Sequence, residues 1–196
     1  MMAALRWTPQ AWFRAWWQAR LPLTDTWQLG QRNIYILPTR AGFTFAGTLL
    51  VMLLAAINYQ LNLGYALTFL LAGAGLVSMH LTHGNLRGLT LRLRPTVPGF
   101  AGEPARLEVV MDNPSHERHA LALRFEDRAA LGRAAAWCDA PRLGQASVTL
   151  SFVPARRGWH AVPTLVVETA FPFGLFRAWT VWRPASRVLA WPRPEH

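Results

Sequence analysis

A stretch of 46 residues without any charged side chain is the strongest pattern in the chain. Between Ala41 and Leu86 there is no Asp, Glu, Lys or Arg, and two apolar runs, 42–57 and 65–81, fill most of the stretch. A helix needs about 20 residues to cross the ~30 Å hydrocarbon core of a bilayer. The stretch therefore has room for two spanning helices and a turn.

The polar residues inside this stretch gather at its middle. Residues 58–64 supply amides and a glycine, which favour a tight turn, and Tyr59 and Tyr65 suit the boundary between membrane and water. The alternative is a buried helical hairpin in a soluble protein, but a soluble helix normally keeps one polar face and neither run offers one. The pattern predicts a two-helix transmembrane hairpin over residues 41–86.

The periodicity changes to two after the hairpin, which predicts β-strands. Seven strands are expected, and we place them at residues 89–94, 107–112, 121–126, 147–152, 164–168, 175–182 and 187–191. The Ala-rich segment 127–140 is expected to form a short helix or a long loop. About seven short strands separated by turn signals predict an immunoglobulin-like β-sandwich over residues 87–196. The predicted fold class is thus a membrane α-helical hairpin plus an all-β domain.

The first forty residues predict an interfacial helix and a connector. Thr8-Pro9 has the pattern of a helix start, and residues 8–20 carry polar and aromatic side chains on opposite faces. The polar stripe is Arg6, Gln10, Arg14 and Gln18, and the aromatic side is Trp12, Phe13, Trp16 and Trp17. Aromatic residues of this kind settle at membrane boundaries. An amphipathic helix packed on the β domain is the alternative, and nucleic-acid binding is the weakest of the three. Residues 21–40 are expected to connect this helix to the hairpin.

Charge gives the hairpin a predicted orientation. The chain is 15% charged and 52% hydrophobic, and every basic residue is Arg. Residues 1–40 carry a net charge of +4 and residues 87–196 a net charge of +6. By the positive-inside rule, basic flanks around an uncharged hairpin place both termini in the cytoplasm. The flanking arginines are Arg32, Arg40, Arg87, Arg92 and Arg94.

Cysteine usage and the N-terminal sequence fit a protein that keeps its N-terminus and faces a reducing compartment. No secretory signal precedes the apolar stretch, so we expect the chain to keep its N-terminus. Cys138 is the single cysteine, which rules out an internal disulfide.

No group of residues predicts an enzyme, a cofactor site or a metal site. Cys138 lies in Trp137-Cys138-Asp139 without a recognisable base, so a structural thiol is favoured over a nucleophile. His80 with His83, and His116 with His119, have the spacing of paired ligands, but two ligands without a third are weak evidence. The first pair is expected at the membrane exit and the second in a solvated loop.

Basic and glycine-containing motifs are equally unspecific. The paired Arg156-Arg157 before Gly158 is expected to be a solvated β-turn, and gripping an acidic partner is the alternative. Glycines lie in the apolar helices, where small residues let helices approach closely. They are Gly42, Gly47, Gly73 and Gly75.

Several segments together resemble the N-terminal part of the domain-of-unknown-function 58 family of bacterial membrane proteins. The resemblance covers about residues 32–194. It is carried by Asn33-Ile-Tyr-Ile-Leu-Pro-Thr-Arg-Ala-Gly42, Ala56-Ile-Asn-Tyr59, Asn62-Leu-Gly64, Phe69-Leu-Leu-Ala72, His83-Gly-Asn-Leu-Arg-Gly-Leu89, Phe100-Ala-Gly-Glu103, Arg156-Arg-Gly158, Thr169-Ala-Phe-Pro-Phe-Gly-Leu-Phe-Arg-Ala-Trp179 and Trp191-Pro192.

The resemblance implies partners rather than an activity. Genes of that family commonly lie beside those of MoxR-type AAA ATPases and transglutaminase-like membrane proteins. Its members continue into a von Willebrand A-like region, whereas this sequence stops at His196, so the resemblance implies a truncated product or a variant reduced to anchor and β domain.

The combined prediction is a membrane-anchored, non-enzymatic interaction or scaffold protein that acts with a MoxR-type AAA ATPase in a cell-envelope or assembly process. A fragment of a membrane enzyme and an accessory subunit of a transporter are the alternatives. No catalytic, cofactor-binding or metal-binding residue is predicted.

Overall fold

The structure, a computed structural model, describes residues 22–127, 131 and 134–192. The predicted interfacial helix at residues 8–20 lies outside the described residues. Two long apolar helices and sheets of mainly antiparallel strands make up the described chain, which confirms the coarse prediction of a helical hairpin combined with β structure.

Helix α1 covers Arg40–Tyr59 and helix α2 covers Asn62–Leu86. Both helices are predicted by the charge-free stretch, and both are long and apolar enough to cross a membrane. The turn between them is shorter than the predicted segment 58–64, because only Gln60 and Leu61 lie outside the helices. Gln60 adopts a left-handed conformation with φ 50°, which ends α1 in one residue.

The two helices pack through small residues. A Cβ atom built on Gly64 would lie 3.0 Å from Cβ of Ala56, and one built on Gly75 would lie 3.2 Å from Cε1 of Phe45. Thr68 is also buried and donates its hydroxyl to the carbonyl of Gly64 at 2.8 Å. Close approach at small residues, with hydroxyls bonded inside their own helix, is typical of helix pairs in an apolar solvent.

Three sheets form the β domain of the described chain. Their strand orders are β1-β3-β5-β8, β2-β11-β10-β6-β7 and β4-β12-β9, and every pairing is antiparallel except β4 with β12. The strands are β1 Thr26–Gln28, β2 Tyr35–Pro38, β3 Thr90–Leu93, β4 Gly99–Phe100, β5 Ala105–Asp112, β6 Arg118–Phe125, β7 Ala136–Ala140, β8 Gln145–Phe152, β9 Gly158–Ala161, β10 Leu165–Thr169, β11 Phe176–Trp182 and β12 Arg187–Trp191.

The seven predicted strands are all present, as β3, β5, β6, β8, β10, β11 and β12. One expectation holds in part and one was wrong. In segment 127–140, expected to be a short helix or a long loop, Leu131 is helical and its amide donates to the Asp127 carbonyl, but Ala136–Ala140 forms strand β7, which pairs with β6. The connector was the wrong one. Strands β1 and β2 lie in segment 21–40, expected to be a connector, and each adds an edge strand to a sheet. Strands β1 and β2 depend on partners far away in the sequence for their hydrogen bonds, so local periodicity does not reveal them.

One hydrophobic core joins the four-stranded and five-stranded sheets. Inward-facing side chains of both sheets are fully buried, including Leu107 and Met111 on β5 and Leu123 and Val167 on the facing sheet. The core also contains Leu86, the last residue of α2. The helical hairpin is therefore anchored directly in the packing of the β domain.

Candidate functional site

The start of α1 is fixed to the turn between β10 and β11. Thr39 caps the helix, because its Oγ1 accepts a hydrogen bond from the Gly42 amide at 3.1 Å. The same hydroxyl donates to the carbonyl of Gly174, and the Thr39 amide donates to the carbonyl of Leu175 at 2.9 Å. A Cβ atom on Gly42 would lie 2.2 Å from that Leu175 oxygen. Only glycine fits at this contact.

The end of α2 is fixed to the β domain by Asn85. Its Nδ2 donates to the His119 carbonyl at 2.7 Å and to Thr169 Oγ1 at 2.9 Å. Its Oδ1 accepts from the His119 amide at 3.2 Å. The His119 ring packs on Phe171 with the ring centroids 5.1 Å apart. One buried amide side chain thus joins α2, β6 and β10, and each of its polar atoms has a partner.

Arg118, the first residue of β6, caps the C-terminal end of α2. Arg118 is buried, with only 3% of its surface exposed. Its guanidinium donates to the Gly84 carbonyl, to the Arg87 carbonyl at 2.9 Å and to Ser115 Oγ at 2.8 Å. A cation at a helix C-terminus is stabilised by the free carbonyls and the helix dipole. Burial lowers the pKa of the Arg118 guanidinium.

This finding corrects the prediction for residues 116–119. They were expected to form a solvated loop, but Arg118 begins β6 and is buried against the helix end. The partners of Arg118 on α2 are more than 30 residues away in the sequence. Local sequence therefore carried no signal for this cap. The two histidines of the pair have different surroundings. The backbone of His119 is hydrogen-bonded to Asn85 of α2, whereas the His116 carbonyl accepts from Asn113 Nδ2.

The other histidine pair lies at a cleft beside the end of α2. His80, His83 and Arg87 line it together with Met79, Gly84, Gln31 and Ile36, and its volume is about 510 Å³. Both histidines lie in the last turns of α2, where the sequence predicts the membrane exit. Within the part of the chain that the structure describes, no three His, Cys, Asp or Glu side chains are grouped to hold a metal ion.

A second hollow adjoins this cleft and contains another arginine. It has a volume of about 530 Å³ and shares Gln31 and Arg87 with the first. Its remaining lining comes from Leu29, Gly30, Arg32, Asn33 and Gly88. We call the two hollows together the basal groove. Within residues 22–127, 131 and 134–192, no carboxylate lines either half of it.

Backbone hydrogen bonds hold the two sides of the basal groove together. The Leu29 amide donates to the Leu89 carbonyl at 2.9 Å, and the Gly88 amide donates to the Leu29 carbonyl at 2.8 Å. Gly88 has φ +87°, a conformation that L side chains rarely adopt. These bonds fix the turn that bears Arg32 beside the helix end that bears Arg87. Arginines 55 residues apart in the sequence therefore share one groove.

Three aromatic side chains are exposed on one face of the three-stranded sheet. Trp159 on β9 pairs with Leu189 on β12, and Trp191 on β12 pairs with Phe100 on β4. Trp159 is 66% exposed and Trp191 is 51% exposed. We call Phe100, Trp159 and Trp191 the aromatic face. The exposed pair Arg156-Arg157 lies between β8 and β9, directly before this face, in the position predicted for a turn.

Cys138 lies on β7 opposite Leu121 and is partly buried. Burial raises the pKa of its thiol, and the nearby Asp139 carboxylate raises it further, to about 11. A thiol with such a pKa is a poor nucleophile at neutral pH, because only the thiolate reacts.

The reactivity of Cys138 provides a first test of the β domain. At pH 8 we expect an alkylating reagent to modify the native chain about 100-fold more slowly than the unfolded chain, since each unit of pKa changes the thiolate fraction about tenfold. Single-cysteine labelling followed by mass spectrometry measures both rates in one sample series. Equal rates before and after unfolding would show that Cys138 is not held in this environment.

A charged cluster lies on the five-stranded sheet and was not predicted from the sequence. Glu168 Oε2 accepts from Arg124 at 3.0 Å and also from Arg177. Arg177 lies over the Trp179 ring, 5.3 Å from its centroid. Burial alone would raise the pKa of Glu168, but hydrogen bonds from Arg124 and Arg177 outweigh it and hold the pKa below its ordinary value.

The cluster predicts a pH dependence of stability. Folding lowers the pKa of Glu168, so ionised Glu168 adds to the free energy of unfolding. This contribution is fully present above the unfolded-state pKa of about 4.3, and it is lost as the pH falls through the lower folded-state pKa. The apparent unfolding midpoint of wild type should exceed that of Glu168→Gln at neutral pH, and the two should converge on acidification. A gap between wild type and Glu168→Gln that does not change with pH would contradict this assignment.

Comparisons with known proteins provide no assignment for this arrangement. No family model matches the chain, and searches of curated proteins and of solved structures find no significant match. The described residues themselves show a hairpin clamped at both ends to a β domain, a cationic groove at the clamp and an exposed aromatic face.

Proposed function

We propose that the chain is a membrane-anchored, non-enzymatic docking protein of the bacterial cytoplasmic membrane. Helices α1 and α2 cross the bilayer, both termini are cytoplasmic, and the β domain, an immunoglobulin-like β-sandwich, binds a protein partner at the membrane surface. The observation that carries the proposal is the apolar surface of the hairpin, whose large side chains are exposed among the residues that the structure describes.

The exposure of the hairpin favours lipid over a protein interior. Only 11% of the most apolar window of α1 and 17% of that of α2 are buried within the chain. Large side chains point outward along both helices, including Phe43, Leu63 and Leu70, which are 66%, 82% and 70% exposed. Soluble monomers rarely expose apolar patches larger than a few hundred Å². A core helix of a soluble domain is mostly covered, so a bilayer suits these helices better.

The lengths of the helices suit a hairpin with its base at one membrane surface. Helix α1 has 20 residues, about 30 Å, which matches the hydrocarbon core. Helix α2 has 25 residues, so about 7 Å of it extends beyond that core. The extension is the part that ends in the β-domain packing at Leu86. The β domain then lies on the side of the flanking arginines, which the positive-inside rule makes cytoplasmic.

The aromatic face is the proposed docking surface. The helices pack against β2, β6, β10 and β11, so the strands of the aromatic face are free of the main hairpin contacts. Exposed tryptophans beside arginines are typical of the residues that contribute most to protein–protein binding. Consistent with the family resemblance, we propose a MoxR-type AAA ATPase as the partner and a cell-envelope or assembly process as the setting.

A binding experiment with two matched variants tests the proposed docking. The full chain in lipid nanodiscs is titrated with the purified MoxR-type ATPase of the same bacterium. Trp159→Ala combined with Trp191→Ala should weaken binding at least about tenfold, as expected for buried aromatic anchors. Trp137→Ala removes a tryptophan with the same exposure, 66%, from another sheet and should not change binding. Absence of binding by the wild type, or equal losses in both variants, would contradict the proposal.

A further inference from the structure

The basal groove concentrates positive charge at the level where the hairpin leaves the membrane. Arg32 and Arg87 are exposed, and among the described residues neither side chain has a hydrogen bond or an ion pair. His80 and His83 add two nitrogen-bearing rings to the same cleft. Among the described residues no carboxylate lines this groove, so its positive charge has no adjacent acidic side chain there to offset it.

Apolar side chains line part of the groove beside the cations. Met79 and Ile36 line the cleft that also contains His80, His83 and Arg87. A free phosphate ion is fully hydrated and gains nothing from an apolar wall. A phospholipid presents a phosphate next to its glycerol and acyl carbons, so it matches cationic and apolar linings side by side.

The position of the groove along α2 also favours a lipid. The last five or so residues of α2 extend beyond the hydrocarbon core if both helices span the bilayer. His80 and His83 then lie at the boundary, and Arg87, one residue past the helix, lies among the headgroups. Basic pockets at the cytoplasmic ends of membrane helices are suited to anionic headgroups.

We infer that the basal groove binds the phosphate of an anionic phospholipid, with Arg87 and Arg32 as the main contacts. His80 and His83 contribute further hydrogen bonds, and Met79 and Ile36 contact the glycerol end of the lipid. This inference rests on the proposed membrane anchoring and deepens it. Because the groove is built from both the hairpin and the β domain, a bound lipid also stabilises the joint between them.

Native mass spectrometry of the full chain in a non-ionic detergent tests the groove. The delipidated protein is mixed with phosphatidylglycerol or with phosphatidylcholine, and lipid adducts are counted. We expect phosphatidylglycerol adducts to dominate. Arg32→Gln combined with Arg87→Gln should lower them about 30-fold, the size expected for losing two cationic contacts with an anionic headgroup. Arg156→Gln with Arg157→Gln removes the same charge from an exposed turn and should have no effect.

Two further arms separate the possible failures. Excess inorganic phosphate should leave the lipid adducts unchanged, and its displacement of the lipid would assign the groove to free phosphate instead. Equal adducts of the two lipids, or equal losses in both double variants, would overturn the inference. If the groove double variant fails to fold, Arg32→Gln and Arg87→Gln alone should each lower the adducts partially. Vesicle flotation measures the anchoring itself, so the groove and the proposed function fail in different assays.

Discussion

Gly42→Ala should lower the free energy of unfolding by about 2–3 kcal/mol, the cost of forcing an atom into a packed contact. The new Cβ atom would lie 2.2 Å from the backbone oxygen of Leu175 and 3.3 Å from Cβ of Pro38. A backbone oxygen cannot move away as the end of a flexible side chain can, so the start of α1 must shift from the β10–β11 turn. In detergent we expect the apparent unfolding midpoint to fall by roughly 5–10 °C.

A second glycine of α1 provides the matched control. Gly47 has no atom within 4 Å of an added Cβ, so Gly47→Ala should leave the midpoint unchanged or raise it slightly, because alanine has the higher helix propensity. Local hydrogen exchange should increase around Thr39 in the Gly42 variant only. Similar midpoints for the two variants would show that α1 does not contact the β domain at Gly42.

Arg118→Met should have a comparable or larger effect, about 3–5 kcal/mol, because it leaves several part-buried acceptors without a donor, and each such loss costs about 1–3 kcal/mol. The carbonyls of Gly84 and Arg87 and the hydroxyl of Ser115 would each lose a donor. Methionine fills much of the volume of the arginine stem, so the loss reports the missing hydrogen bonds rather than a cavity. Thermal unfolding in detergent measures the change.

The place where amide hydrogen exchange becomes faster in Arg118→Met shows whether Arg118 caps α2 or stabilises the whole chain. We expect faster amide hydrogen exchange at the end of α2 and in the following turn, and little change near the start of α1. Arg118→Lys keeps the charge but not the forked geometry, so it should recover only part of the stability. Arg157→Met, which removes an exposed arginine, should be neutral. A neutral Arg118→Met would refute the cap.

The elements that could be predicted are those with a strong local period. The charge-free run from Ala41 to Leu86 predicts both helices, and alternation such as Leu107, Val109 and Met111 predicts the longer strands. Strands β1, β2 and β7 lie at sheet edges, and β1 and β2 pair with chain segments far away in the sequence. Their formation depends on tertiary pairing, which local composition does not report.

In the candidate site, too, some residues have a local sequence signal and others come together only in the fold. His80, His83 and Arg87 lie at helical spacing, so their proximity can be predicted from the sequence. The approach of Arg32 depends on the hydrogen bonds between Leu29 and residues 88 and 89, which only the fold shows. Asn85 and Arg118 have local sequences typical of surface polar residues. They hold the end of α2 against the β domain through hydrogen-bond partners that are 31 to 84 residues away in the sequence.

The central claim is that α1 and α2 lie in lipid, and alkaline carbonate extraction followed by flotation tests it most directly. Membranes from cells that express the full chain are washed with carbonate and centrifuged through a density gradient. If the exposed apolar side chains of the hairpin face acyl chains, the protein stays with the vesicles and floats with them. Release into the carbonate supernatant, or a protein that remains in solution without detergent, would contradict the membrane-anchored assignment.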